Sequence, residues 1–218
     1  QTYNLNIPIK YVTISKWCQE WLLKNYEKIA DYAPNGIDLN LFKSKKRDFS
    51  GKIRILIEGN SDDYYKNVDE SFKIVDKLDK KRFEIWYMSY QGRPKNCYYV
   101  DKFLHKVSYE NVPEVYQNCH ILIKSSILES FSYPPLEMMA TGGFVVVAPN
   151  GGNIEYLKDG ENCLLYNQGN IDSALEAIDR ICSNEGLRDK LYTGGVTTAK
   201  SRSWENIEND ILALYDIH

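Results

Sequence analysis

The stretch His120-Ile121-Leu122-Ile123-Lys124-Ser125-Ser126-Ile127-Leu128-Glu129-Ser130-Phe131-Ser132-Tyr133-Pro134-Pro135-Leu136-Glu137-Met138-Met139-Ala140-Thr141-Gly142-Gly143-Phe144-Val145-Val146-Val147-Ala148 holds one complete strand–helix–strand unit. His120–Lys124 and Phe144–Ala148 are short, β-rich apolar runs. Between them, Pro134–Thr141 follows a tight loop and carries its prolines where a first helical turn tolerates them. Phe144–Val147 is continuously apolar, as suits a parallel strand covered by helices on both faces.

The same alternation extends outward. Tyr11–Ser15, Ile53–Glu58 and Phe83–Tyr90 are further candidate strands. Val68–Leu78 places Val68, Phe72, Val75 and Leu78 on one helical face. Val112–Asn118, Ile171–Cys182, Leu187–Ala199 and Trp204–Tyr215 are further helical stretches, and Phe42 to Lys52 reads as a polar loop. The pattern predicts an α/β chain with a doubly wound parallel sheet. Ligands of such sheets sit beyond the carboxyl ends of the strands. That directs attention to Gly59-Asn60 through Lys66, Tyr90-Gln91-Gly92, Ser125 to Tyr133, and Pro149 to Asn153.

Composition excludes several classes. With 43% hydrophobic and 26% charged residues, the 218-residue chain reads as an ordinary soluble globular protein. A net charge of −3 gives no global attraction to nucleic acid. The cluster Lys43-Ser44-Lys45-Lys46-Arg47 reads as a solvated linker. Cys18, Cys97, Cys119, Cys163 and Cys182 are scattered and odd in number, which argues against a disulfide framework or a zinc site. No metal is expected. No apolar run approaches a bilayer span and the first residues do not read as a signal peptide, so a cytoplasmic location is expected. Gln1 is not an initiator Met, which suggests an excised or processed fragment.

The loop before Pro134 is the densest chemical signal. Backbone N–H groups at a helix start, aided by the helix dipole, form an anion site that suits a diphosphate. Glu129 and Glu137, eight positions apart, bracket it with carboxylates able to accept hydrogen bonds from sugar or ribose hydroxyls.

This region resembles the E-x7-E segment of retaining glycosyltransferases of family 4, whose loop usually reads Glu-Gly-Phe-Gly. Four further segments resemble family motifs in family order: Pro34-Asn35-Gly36-Ile37-Asp38, Gly151-Gly152-Asn153-Ile154-Glu155, Asp159-Gly160-Glu161-Asn162-Cys163-Leu164-Leu165, and Ser203-Trp204-Glu205-Asn206. Ser132-Tyr133-Pro134-Pro135-Leu136-Glu137-Met138 also resembles bacterial rhamnosyltransferases of this superfamily. The resemblance implies a Rossmann-like, C-terminal half of a GT-B fold spanning 1–218, with 1–21 as linker or tail of an N-terminal acceptor domain. It implies binding of a UDP-, dTDP- or GDP-linked sugar and retaining transfer of a hexose, in bacterial surface-polysaccharide synthesis, peripheral to the inner membrane face. Glu129 would contact the donor sugar as the catalytic carboxylate and Glu137 the ribose. Gly59, Asn60, Lys66 and the backbone of Ser130, Phe131, Ser132 and Tyr133 would hold the donor phosphates.

The chain departs from the pattern in places. Asn60 stands where the family usually has an Arg, although Lys66 occupies the expected Lys position. Ser130 and Ser132 replace both loop glycines, so the loop either changes conformation or donates hydroxyls. Lys66 also stands among Asp62, Asp63 and Asp69, which reads alternatively as a surface ion pair. Gly151-Gly152 could be only a turn, His105 only a loop residue, and His120 reads as structural. Two other functions share the architecture: a nucleotide-sugar 2-epimerase, and a non-catalytic scaffold.

Overall fold

The computed structural model describes residues 8–96 and 98–215. Cys97 and residues 1–7 of the expected 1–21 linker lie outside them. Six strands form one fully parallel sheet: β3 (Ile53–Glu58), β4 (Phe83–Ser89), β5 (Lys102–His105), β6 (Ile121–Lys124), β7 (Phe144–Val147) and β8 (Leu164–Leu165). Their spatial order is β5-β4-β3-β6-β7-β8. The chain winds outward from β3 to one edge, then returns to β6 and winds to the other. The order therefore reverses between β3 and β6, where an open α/β sheet leaves its ligand crevice.

The register explains why both faces are apolar. Ile55 pairs with Ile85 and Ile121, and Ile121 with Phe144. That row faces α2 (Val68–Val75) and α5 (Ile171–Ser183), meeting Phe72, Ala177 and Ile178. One residue on, Leu56 pairs with Trp86 and Leu122, and Leu122 with Val145. This row faces α3 (Val112–Asn118) and α4 (Tyr133–Ala140), meeting Tyr116, Leu136 and Met139. Strand side chains alternate between faces, so two helical layers require these unbroken apolar runs. α6 (Glu185–Ser201) reaches both clusters through Leu191 and Ala199. α7 (Trp204–Ala213) closes the described chain, and Ile37 bridges to Ser203 at its start. None of the helices of the described residues is long and apolar enough to cross a membrane.

Two expectations change. Tyr11–Ser15 does not join the main sheet: β1 (Tyr11–Thr13) pairs in parallel with β2 (Ala30–Tyr32), around α1 (Lys16–Tyr26). The α1 helix carries little sequence signal because only Leu22 in it is buried. The Lys43–Arg47 segment is a loop, but not solvated throughout. Arg47 donates to the carbonyls of Cys119 at 2.6 Å and Tyr116 at 2.9 Å, pinning the end of α3. His120 is structural as expected: Nδ1 accepts from Arg54 N–H at 3.0 Å and Nε2 lies 2.8 Å from the Asp48 carbonyl.

Candidate functional site

A cleft of about 330 Å³ opens at the reversal point of the sheet. Its walls include Glu58 and Lys66 from the β3 side, Glu129 through Tyr133 from the β6 side, Glu137 of α4, and Tyr116 of α3. The chain crosses from β3 into the cleft at Gly59, whose φ of 137° is open to glycine and costly for other residues. A Cβ there would also stand 3.1 Å from Val68. A single 3-10 turn, Tyr64–Lys66, then presents Lys66, and Asn67 enters α2 in the left-handed region at φ 47°.

Of the residues singled out from sequence, Lys66, Ser130, Phe131, Ser132, Tyr133, Glu129 and Glu137 line this cleft, while Gly59 and Asn60 lie at the adjoining strand end. Lys66 Nζ donates to both Glu129 carboxylate oxygens, at 2.9 and 2.8 Å. Lys66 therefore faces the cleft and is ion-paired there with Glu129, not at the surface with Asp62, Asp63 or Asp69. Asn60 turns its amide oxygen to the Asp62 N–H at 3.3 Å, and its Nδ2 is buried with no partner among the described residues.

The helix start differs from the sequence reading. Tyr133, Pro134 and Pro135 are the first three residues of α4, and two of them have no N–H to offer. The candidate anion donors are thus backbone N–H groups of the loop. The N–H groups of Phe131, Ser132 and Tyr133 meet no protein acceptor among the described residues. Ser132 takes the left-handed conformation at φ 69° despite its side chain, so the loop keeps a glycine-like backbone at that position. Its hydroxyl is buried without a partner among the described residues, and its carbonyl accepts from Tyr156. Phe131 is 1% exposed and packs on Tyr156 and Tyr133, so only its backbone is free to serve the cleft.

The loop is held from behind. Trp17 Nε1 donates to the Ser130 carbonyl at 3.1 Å. Glu155 accepts from Lys16 N–H at 3.1 Å, Tyr32 at 2.9 Å and Arg202 at 2.9 Å. Gly152 lies so close that a Cβ would come within 2.4 Å of the Glu129 carbonyl oxygen. The Gly151-Gly152 segment is thus a turn whose small size lets the loop backbone approach.

Charge is dense at the strand ends. Lys124, 1% exposed, donates to Glu58 Oε2 at 2.5 Å and lies 3.5 Å from Glu129 Oε1. Burial alone would raise the Glu129 pKa, but Lys124 and Lys66 outweigh it and hold the carboxyl below its ordinary range. Glu137 behaves oppositely. Burial pushes its pKa up to about 7, although the Tyr116 hydroxyl donates to it at 2.9 Å and favours the charged form. Lys124, Glu58 and Tyr116 were missed from sequence. A strand-end lysine and one of 17 tyrosines carry no local mark of burial. His105, also weighed, is exposed on β5 and contacts the Tyr90 carbonyl at 3.1 Å. Among the described residues no cluster of three or more His, Cys, Asp or Glu is placed to hold a metal.

Residues 101–196 match the family described as glycosyl transferases group 1. An uncharacterized glycosyltransferase of Methanocaldococcus jannaschii is 25% identical over 95% of this chain and 59% of its own length. A D-inositol 3-phosphate glycosyltransferase of a Nocardioides species is 30% identical over 53% of this chain and 25% of its own. Among solved structures, Anabaena Alr3699/HepE in complex with UDP-glucose superposes with a TM-score of 0.82 at 16% identity, over 97% of this chain and 64% of that one. The chain thus spans between a quarter and three fifths of the length of these two relatives.

Proposed function

We propose that this chain is the C-terminal GT-B domain of a group 1 glycosyl transferase and that the cleft between β3 and β6 binds a nucleotide-sugar donor; the match of residues 101–196 to that family and the likeness of fold to a nucleotide-sugar complex support the reading. The observation that carries the reading is the meeting, at one reversal point, of Lys66 with the unpaired N–H groups of Phe131 to Tyr133. Together they offer a cation and N–H donors to a diphosphate. Glu137, beyond the loop, accepts ribose hydroxyls, and Glu129 accepts those of the sugar. The structural neighbour with UDP-glucose supports a UDP-linked donor as the first to test; dTDP- and GDP-linked sugars are the others.

The reaction we propose is retaining hexose transfer to a glycan or similar acceptor, in surface-polysaccharide synthesis at the inner face of a membrane. An N-terminal domain supplies the acceptor site. Lys66 and the loop N–H groups then stabilise charge developing on the departing nucleoside diphosphate, with donors already in place before the bond breaks. Donor bound without acceptor gives little transfer, since both reactants must be positioned together.

Calorimetry with UDP, dTDP and GDP and their sugars tests this reading. Saturable binding of at least one, lost when the cleft is altered, is the expected result. Absence of binding by all of them would favour the scaffold. An assay of transfer against 2-epimerisation, with the acceptor domain present, separates the two enzymatic readings.

A further inference from the structure

Lys124 ends β6, a place from which a lysine ordinarily extends its stem into water. Here the side chain is 1% exposed. The pairing of Ile57 with Ile123 brings the next residues, Glu58 and Lys124, side by side. The ammonium donates to the Glu58 carboxylate at 2.5 Å and to the Glu58 carbonyl at 3.2 Å, and lies 3.5 Å from Glu129 Oε1. Glu129 thus sits between two lysines of different character. Lys66 lines the cleft with 23% of its side chain exposed, whereas Lys124 is sealed.

That difference decides what each can do. Lys66 can leave Glu129 and turn to a phosphate. Lys124 has no path to a ligand and stays where the sheet puts it. We infer that Lys124 is a positioning residue: the fixed counter-cation that keeps the Glu129 carboxylate charged and in place when Lys66 engages a diphosphate. The inference rests on reading the cleft as a donor site. Without Lys124, the departure of Lys66 would strand a carboxylate that is only 10% exposed, and burial would drive it to take up a proton. The groups facing this carboxylate are Lys66 and Tyr65 before α2, Glu58 on β3, Lys124 and Ser126 at the end of β6, Glu137 on α4, and Tyr156 after β7.

The experiment is titration of the Glu129 carboxyl by carbon-13 NMR. Lys66→Met in the ligand-free protein imitates the departure of Lys66. Glu129 should then still titrate below the ordinary carboxyl range. Adding Lys124→Met with Glu58→Gln removes one cation and one carboxylate together, so no orphaned charge is left to unfold the site. In that background the Glu129 midpoint should rise by about one to three pH units. No rise overturns the inference. With Lys66 intact, saturating UDP should carry the Glu129 midpoint above the ordinary carboxyl range in the Lys124→Met/Glu58→Gln protein and leave it below that range in the wild type. A wild-type midpoint above the ordinary carboxyl range with UDP bound also overturns it, because Lys124 would then not be holding the charge. Failure of UDP to bind the wild type counts against the donor reading alone, since the ligand-free comparison still decides the role of Lys124.

Discussion

Lys66 donates to both carboxylate oxygens of Glu129, at 2.9 and 2.8 Å, and so ties the loop after β3 to the loop after β6 across the reversal point of the sheet. The candidate phosphate contact and the candidate sugar contact are each other's partners. A diphosphate entering the cleft must compete with Glu129 for Lys66, and the sealed Lys124 makes that exchange affordable to Glu129.

Lys66→Ala should weaken nucleoside-diphosphate binding by roughly 1.5–3 kcal/mol, the range for a hydrogen bond to a charged group. Calorimetry at low salt measures it. Unchanged affinity there would confine Lys66 to its ion pair with Glu129.

Glu137 predicts a pH dependence of stability. In the folded chain it keeps its proton up to a pH of about 7, whereas its ordinary value is 4.5. Between those values the folded state binds more protons than the unfolded one. Stability contributed by this group is therefore present at the acid end and lost as pH rises toward 7. Urea unfolding across that window should show a downward component in the wild type that Glu137→Gln lacks. Tyr116→Phe, which removes the hydroxyl donating at 2.9 Å, should move the window upward. Parallel curves for the wild type and Glu137→Gln would refute the assignment. If Glu137 receives ribose hydroxyls, nucleotide affinity should strengthen over the same interval as the carboxylate forms.

The parts legible in the sequence were those with local signatures. Ile53–Glu58 was read to its observed ends because an apolar run between polar turns has few other interpretations. The strand order was not legible, because parallel neighbours are chosen by long-range packing of near-identical apolar runs. In the candidate site, Glu129, Glu137 and Lys66 could be singled out because they stand in the loop after β6, in α4 and in the turn after β3, beside strand ends. Lys124 and Glu58 escaped because their significance is a cross-strand meeting of distant residues. The missing N–H groups of Pro134 and Pro135 could have been read directly, since proline carries no amide proton.

Gly152→Ala should damage the donor loop from behind. Its new Cβ would sit 2.4 Å from the Glu129 carbonyl oxygen and 2.7 Å from Phe131 N, both backbone atoms that cannot swing aside. The loop should shift, and diphosphate affinity should fall about tenfold or more, a 1 Å misplacement being costly in a preorganised site. Gly51→Ala, with nothing within 4 Å of its Cβ, is the control and should bind normally. Equal affinity in both variants would show that the loop does not depend on the Gly152 contact.

The two glutamates should separate by ligand. Glu137→Gln keeps the side-chain shape but weakens acceptance of ribose hydroxyls, so nucleoside diphosphate and intact nucleotide-sugar should lose affinity together. Glu129→Gln should act differently, because Glu129 holds Lys66 in an ion pair. A neutral amide cannot hold that ammonium as a carboxylate does, so Lys66 is released toward the phosphates. Diphosphate binding should be unchanged or tighter, while the intact donor, which also needs its sugar hydroxyls accepted, should bind more weakly. With the acceptor domain present, turnover should fall as well, since the sugar must be held as charge develops at its anomeric carbon. General destabilisation would lower both affinities in both variants. Calorimetry of each folded variant with UDP and with a UDP-sugar therefore decides the matter: identical losses for both ligands in both variants defeat the division of roles, and no loss in either variant removes this pair of carboxylates from the site.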